Sequence, residues 1–454
     1  MKPLLKVNKK TNTYLSVLKK NKSIDYYSNA YKMITNKNNN INATFYDTSV
    51  CAISPILISY VIWILKKAEK SSIKHLFFLA RDGQIMYKIA CIIVKKCNID
   101  IELHYLYCSR ISLRIPLFYI NQEEAINKMF LNSAYVTISL ILDRVNFTND
   151  EKKRIYNELN ILDGEANEQL TFEGIKDFRI KLCSSQEFYI VMNSKSKLEY
   201  DNLIKYFEQE GLFKYSHYAI VDSGWVGSMQ RSLRILLQSK DPKLNLEGYY
   251  FGLYGKQNEL DGIYNSFYFS HKYGLKNSVF FNNNLFECIC SADHGITLGY
   301  REENGIIIPV LNKIEPTSMT VQLHYIILEF CNNLILNYHH LKEDKLRGYT
   351  YSTIKLFMVE PSKEELDIYG NIHFCDDVSE KYMLKLAADI QIKDLIYHII
   401  PVKLFYRLIY RGKRKNVKES YWMWGTISRQ NILIKWIFKL NYIIWQSFQW
   451  IRIR

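Results

Sequence analysis

Apolar residues fall along this chain in two alternating patterns, short unbroken runs and longer stripes of helical period. Tyr218-Ala-Ile-Val221 is one such run and reads as a buried strand. Behind it come an acid, Asp222, and then Ser223, Gly224, Trp225, Val226 and Gly227. This loop leads into a helix over about 228–238, with Leu233, Leu236 and Leu237 on one side. His75-Leu-Phe-Phe-Leu-Ala80 is a second strand-like run. Residues 84–96 follow it with Ile85, Ile89, Ile92 and Ile93 at helical spacing, and residues 102–107 make a further strand. Strand, helix and strand at this spacing form a βαβ unit, which calls for a parallel sheet with a right-handed crossover. Leu246-Glu-Gly-Tyr-Tyr-Phe-Gly-Leu-Tyr254 reads as an aromatic strand whose Gly248 and Gly252 admit close backbone approach.

Residues 117–215 are helical in pattern with mixed charge, as at 123–132, 149–162 and 198–211, and suit an insertion or cap over the sheet. The expected fold class is therefore α/β. Its parallel-sheet core is split into 46–116 and 216–340, with the helical insertion 117–215 between them. A polar leader, 1–45, precedes it; a helical region, 341–400, and a basic, Trp-rich amphipathic tail, 401–454, follow it. The leader is rich in Lys and Asn and reads as mobile or loosely docked, with one or two short helices. Asp47 or Thr48 is the expected cap of a helix running through Pro55 to about Lys70. The apolar run inside it, 52–65, is short for a bilayer span.

Composition narrows the function classes. At 454 residues and 48% hydrophobic the chain has the makings of a sizeable core. Nine cysteines, an odd number without a CxxC pair in a large chain, argue against a disulfide framework or a zinc site. The first residues hold no apolar signal core, so a cytoplasmic protein is expected. A net charge of +15 attracts polyanions: nucleic acid, anionic lipid or phosphorylated substrates. From Pro401 onward twelve Lys/Arg meet one acid, Glu419, and five of the seven tryptophans lie there. Ile432, Leu433, Trp436, Ile437, Leu440 and Ile444 recur at helical spacing beside Lys435 and Lys439, which suits the surface of an anionic membrane. Packing of that apolar face on the protein is the alternative. Nothing matches a nucleic-acid reader, and no nucleic-acid partner is expected.

The residues with chemistry to offer follow the strands. Arg81-Asp82-Gly83 stands between a strand's carboxyl end and a helix N-terminus, where parallel sheets hold ligands. Gly83 permits an unusual backbone angle and Arg81 can grip a phosphate, although a strand-to-helix turn with a surface ion pair has the same pattern. Ser109, Arg110 and Arg114, after the next strand, can face the same crevice. Asp222 suits a metal or sugar hydroxyls, Trp225 a pocket wall, and the amides of Gly227 and Ser228 a phosphate. A glycine turn with Ser228 as N-cap is the plainer reading. The third glycine of GxGxxG, a Gly-Lys-Ser/Thr and an Asp-x-Asp after the first strand are all missing. Glu287, Asp293 and His294 suit acid/base or acceptor-binding work, or an ordinary solvated loop. His104, His217 and His398, in or beside apolar runs, read as hydrogen-bonded structural histidines.

Four segments together resemble a known family: Phe78-Leu-Ala-Arg-Asp-Gly83, Tyr105-Leu-Tyr-Cys-Ser-Arg110, Val221-Asp-Ser-Gly-Trp-Val-Gly-Ser-Met-Gln230 and Gly248-Tyr-Tyr-Phe-Gly-Leu253. Phe286-Glu287 and Ser291-Ala-Asp-His-Gly295 are similar to a further block. The family is that of the phosphoribosyltransferase-like ribofuranosyltransferases of bacterial surface-polysaccharide (O-antigen and capsule) clusters, and the likeness spans about residues 45–310. It implies a core like that of type I phosphoribosyltransferases. It also implies transfer of 5-phosphoribosyl from phosphoribosyl pyrophosphate (PRPP), with substrate-bound Mg²⁺, to a sugar hydroxyl of a lipid-linked glycan, releasing pyrophosphate. A phosphatase of the haloacid-dehalogenase type would then remove the 5-phosphate. Many relatives carry it fused, but here no Asp-x-Asp motif precedes the transferase, so it would be a separate partner.

By this likeness Arg81, Asp82 and Gly83 make the pyrophosphate loop, and Ser109 and Arg110 join the donor site. Asp222, Ser223, Gly224, Trp225, Gly227 and Ser228 replace the ribose-phosphate loop, with Asp222 near the ribose hydroxyls or Mg²⁺. Asp82, Asp222 and Glu287 are the candidate catalytic acids, and Asp293 and His294 would meet the acceptor. The ordinary loop carries two adjacent acids, whereas here Asp222 is followed by Ser223. Such an enzyme would work at the cytoplasmic face of the cell membrane. A nucleotide-sugar transferase and a non-catalytic scaffold of polysaccharide assembly stay open as alternatives.

Overall fold

The structure is a computed structural model that describes residues 7–20, 24–36, 41–131, 133, 135–377, 383–409, 418 and 420–453. At its centre lie β1 (His75–Leu79), β2 (Glu102–Leu106), β3 (Tyr218–Trp225), β4 (Glu247–Leu253) and β5 (Ile263–Phe269). They form one sheet, all parallel, in the order β2-β1-β3-β4-β5. A parallel sheet covered on both faces needs strands apolar on both sides. Leu76, Phe78, Ala219 and Val221 serve one layer, and Phe77, Leu79, Tyr218 and Ile220 the other.

The first layer is built on the helix Ala43–Lys70, joined by Gly83–Cys97 and Ser318–Asn333. The second contains Arg110–Ile120, Gln186–Gln209 and Ser228–Gln238, so much of the insertion covers one face of the sheet. The fold class is α/β. An antiparallel hairpin, β6 (Thr297–Glu303) with β7 (Ile306–Leu311), packs on the second layer. Neither it nor β5 was legible in a stretch that reads as aromatics and polar turns.

The central helix differs from the expected one. Its cap is Asn42, whose side chain accepts from the Phe45 amide at 3.1 Å; Asp47 and Thr48 lie inside it, buried. A π-turn over Ser49–Ile53 carries the chain past Pro55 without a break, giving 28 continuous residues, Ala43–Lys70. Among the described residues it is the one helix long and apolar enough to cross a membrane, and its apolar stretch is wholly buried within the protein.

The described part of the leader is not loosely docked. Helices Lys9–Lys20 and Tyr26–Thr35 bury Tyr14, Leu18 and Tyr26 in the same core. The Tyr14 hydroxyl donates to buried Glu365 at 2.8 Å. A narrow apolar stripe within a Lys/Asn-rich composition is enough to seat them.

The tail is not one amphipathic unit either. Trp422 and Trp424 are fully buried core residues whose indole N–H groups donate to the carbonyls of Met358 (2.8 Å) and Val279 (3.2 Å). The last helix, Ile432–Ile453, buries Phe438 and sets Tyr442 edge-on to Trp424. Its other side leaves Leu433, Trp436, Ile437, Leu440, Ile444 and Phe448 exposed. The basic run at 411–415 lies outside the described residues. All nine cysteines are free thiols.

Candidate functional site

The strand order reverses direction between β1 and β3: from β1 the chain moves outward to β2, and from β3 onward to β4 and β5. The crevice beyond the carboxyl ends of such neighbouring strands is where open parallel sheets hold ligands. Arg81 and Asp82 emerge from β1 at this point, after a cis Ala80–Arg81 peptide, and Asp222 stands in the last half of β3.

The loop expected at 222–228 is mostly strand. β3 continues through Trp225, with Gly224 opposite Gly252 and Trp225 opposite Leu253 of β4, so only Val226 and Gly227 turn the chain. Gly224 permits this, since at φ +114° a Cβ would stand 2.4 Å from the Gly252 carbonyl oxygen. Gly227, in the left-handed region, is the N-cap of Ser228–Gln238. Ser228 is therefore the first helical residue and not the cap, and the helix has no side-chain cap. Gly83 is needed for a different reason from the expected one. Its backbone angle is ordinary, but a Cβ would meet the Phe78 carbonyl carbon at 3.1 Å, so it lets the Gly83–Cys97 helix approach β1 closely.

Three acids converge on the crevice. The Ser223 hydroxyl donates to Asp82 Oδ2 at 2.5 Å, and the Ser223 amide donates to Asp222 Oδ1 at 2.9 Å. The serine after Asp222 thus couples it to the acid that follows the neighbouring strand, at the start of the Gly83–Cys97 helix. Glu287, on the short helix Asn283–Cys290, accepts the indole N–H of Trp225 at 2.7 Å. That indole packs on Phe281 and Phe286, so it acts as a wall that also aims the carboxylate.

Burial is the first cause raising all three acids, and the charge of Asp82 adds to it at Asp222 and Glu287. Asp222 is pushed up to about 7 by burial and then by the charge of Asp82, against the Ser223 amide and Arg110. Glu287 is pushed up to about 7 by burial and by Asp82, with Asp222 adding to the effect and Arg110 and the Trp225 indole opposing it. Asp82 is also raised by burial, while the Ser223 hydroxyl, Arg81 and Arg110 pull it back. Arg110 thus favours the charged form of all three acids, and Arg81 that of Asp82.

Asp293 and His294 lie on the rim beside Arg81 and are already engaged. Asp293 accepts from Gln84 Nε2 (2.6 Å) and Lys88 Nζ (2.7 Å). Burial pushes its carboxyl up, but these bonds outweigh burial and hold it low. His294, lowered first by burial, lies with Nε2 2.7 Å from the Tyr105 hydroxyl and Nδ1 2.8 Å from the Gly295 carbonyl. Both ring nitrogens have protein partners, so the ring is fixed in place rather than turned toward an incoming group.

One expected donor ligand, Ser109, and one residue expected to face the crevice, Arg114, are placed otherwise. The Ser109 hydroxyl caps Arg110–Ile120, accepting from the amides of Ile111 and Ser112, and donates to the Thr297 carbonyl at 2.6 Å. It is committed to structure. Arg114 is buried and donates to the Arg144 carbonyl at 2.7 Å, away from the crevice. Arg110, one turn earlier, is exposed and acts on all three acids. Sequence reasoning missed Gln84 and Lys88. Their signal was a polar pair four residues apart on the helix that begins at Gly83. A scan against protein-family models and a search of curated proteins found no match for this chain.

Proposed function

We propose that this crevice transfers 5-phosphoribosyl from PRPP to a hydroxyl of a lipid-linked glycan in bacterial surface-polysaccharide synthesis, releasing pyrophosphate. The reading joins the motif likeness, and the type I phosphoribosyltransferase-like core it implies, to one observation. Asp82, Asp222 and Glu287 gather with Arg81 and Arg110 at the reversal point of a parallel sheet. A site of this charge suits a sugar flanked by phosphates. The arginines and the uncapped amides of Ser228–Gln238 answer the anionic groups, and the acids answer the ribose hydroxyls and the acceptor.

The acids also fit a divalent cation. Burial raises all three carboxyls, and a cation beside them would favour their charged forms. Mg²⁺ is commonly carried by one or two carboxylates together with the phosphates of its substrate, a role these acids have the chemistry to fill. Asp222 is the first candidate ligand. Bound there, the ion would offset the charge growing on the leaving pyrophosphate.

In the transfer the anomeric C–O bond to pyrophosphate breaks, and a bond from the acceptor oxygen to the same carbon forms. Arg81 and Arg110 stabilise the departing charge. Asp222 and Glu287, both near neutrality, are the acids suited to take the acceptor's proton. The product keeps its 5-phosphate, so a separate phosphatase is the expected partner. The exposed apolar side of the last helix, beside Lys435 and Lys439, supports work at an anionic membrane surface.

Purified protein given PRPP, Mg²⁺ and lipid-linked glycans from a capsule-forming bacterium is expected to release pyrophosphate. Asp222→Asn should slow it about 100-fold or more. Full turnover by Asp222→Asn would remove that residue from the chemistry.

A further inference from the structure

The end of the sheet opposite the crevice carries a second constellation. His75 opens β1 and Glu102 opens β2, paired in register, and His104 follows two residues along β2, opposite Phe77. With a period of two, all three side chains rise from one face. His75 Nδ1 stands 3.3 Å from His104 Nε2 and 3.4 Å from Glu102 Oε2; His104 Nε2 stands 3.7 Å from Glu102 Oε1. Among the described residues this is the one set of three metal-type donors with ligand atoms so close together.

We propose that His75, Glu102 and His104 bind one divalent transition-metal ion of the zinc type. The spacing is the first argument. Donors about 2.0–2.1 Å from a tetrahedral ion lie about 3.3–3.4 Å from one another, and two of the three observed separations match that edge. The third exceeds it by an amount that a carboxylate rotation absorbs. The donor set is the second argument: two imidazoles and one carboxylate favour zinc-like ions, whereas Mg²⁺ and Ca²⁺ select all-oxygen sites.

Preorganisation is the third. The His75 ring stacks on Tyr215 at 3.5 Å between centroids, and the His104 ring on Phe77 at 4.4 Å, so both imidazoles are fixed by neighbours that do not use their nitrogens. Their side chains are mostly buried, 19% and 16% exposed, while that of Glu102 is 60% exposed, which leaves a solvent side where water can complete the coordination. One ligand comes from β1 and two from β2, the edge strand, so the ion would pin the sheet's free edge.

The test uses the full chain, stripped with chelator and titrated with Zn²⁺ alone by calorimetry, and Co²⁺ alone followed by visible absorption. The expected result is one Zn²⁺ per chain, a higher melting temperature with Zn²⁺, and Co²⁺ bands without thiolate charge transfer. Glu102→Gln should weaken binding at least tenfold, and His104→Ala and His75→Gln should each abolish it. The second histidine variant keeps the test decisive if the first fails to fold. A plain hydrogen bond between the rings predicts no Zn²⁺ binding and no change in melting. That result, undiminished binding in either histidine variant, or thiolate charge transfer showing that the cysteines hold the ion, would overturn the proposal.

Discussion

At the scale of residues, Ser223 answers the question the sequence raised about a missing second acid. It donates through its hydroxyl to Asp82 and through its amide to Asp222, so the acid nearest Asp222 in this network comes from the turn after β1 rather than from the adjacent position. No reading of one strand alone could reveal this, because the pairing of β1 with β3 spans over 140 residues of chain. The acids make the ligand-free protein sensitive to pH in a definite direction. Carboxyls in an unfolded chain titrate near 4, whereas Asp222 and Glu287 are raised to about 7 in the fold. The folded state therefore binds more protons between these values. The stability this contributes is complete below about pH 4 and is lost as pH rises through about 7. Urea denaturation of the ligand-free protein should show its midpoint falling between pH 5 and pH 8, and Asp222→Asn should flatten that fall. A midpoint rising over the same range in the wild type would contradict the assigned environment.

At the scale of elements, what the sequence made legible were the segments whose periodicity is unmixed. β1, β2 and the Gly83–Cys97 helix fall within a residue or two of the expected positions, and Asn149–Glu158 and Gln186–Gln209 answer the helical pattern of the insertion. Glycine misled the reading at β3, where Gly224 serves close strand approach and not a loop. β5 was hidden by an aromatic-rich sequence whose burial comes from long-range packing. Tryptophan misled it in the tail, since Trp422 and Trp424 belong to the core and Trp436 does not. Deleting residues 401–454 would therefore remove core side chains together with the exposed stripe, and surface substitutions are the cleaner probe. Trp436→Glu with Leu440→Glu changes two exposed side chains, and burying such groups in lipid is worth about 1.5–3 kcal/mol each. Co-sedimentation with phosphatidylglycerol vesicles should fall at least tenfold in this variant while its melting temperature stays near that of the wild type. Unchanged binding would assign the stripe to another partner.

At the scale of the whole molecule, the chain's two ends close over one core. Leader residues Tyr14 and Leu18, the central helix and Trp422 and Trp424 share a single apolar cluster beneath the sheet. Glu365, fully buried, gathers Tyr14 at 2.8 Å, Thr48 at 3.0 Å and Lys10 at 3.6 Å. This scaffold keeps β1 and β3 side by side, and with them the acids and arginines of the crevice. The α/β class was legible in the sequence, and Asp82 and Asp222 could be singled out because strand ends are where parallel sheets carry chemistry; the fold sets Glu287, from a helix, beside them. It missed the structural commitment of Ser109 and His294, which depends on partners far along the chain, Thr297 and Tyr105. The proposed function requires this crevice to be a donor site for a phosphorylated ribose carrying pyrophosphate. Calorimetric titration of the full chain with PRPP in the presence of Mg²⁺, beside a panel of nucleotide sugars, tests it most directly. The expected result is one PRPP site per chain, weakened at least tenfold by Arg81→Ala and by Asp222→Asn, and no nucleotide-sugar binding. Saturable binding of a nucleotide sugar with none of PRPP would contradict it.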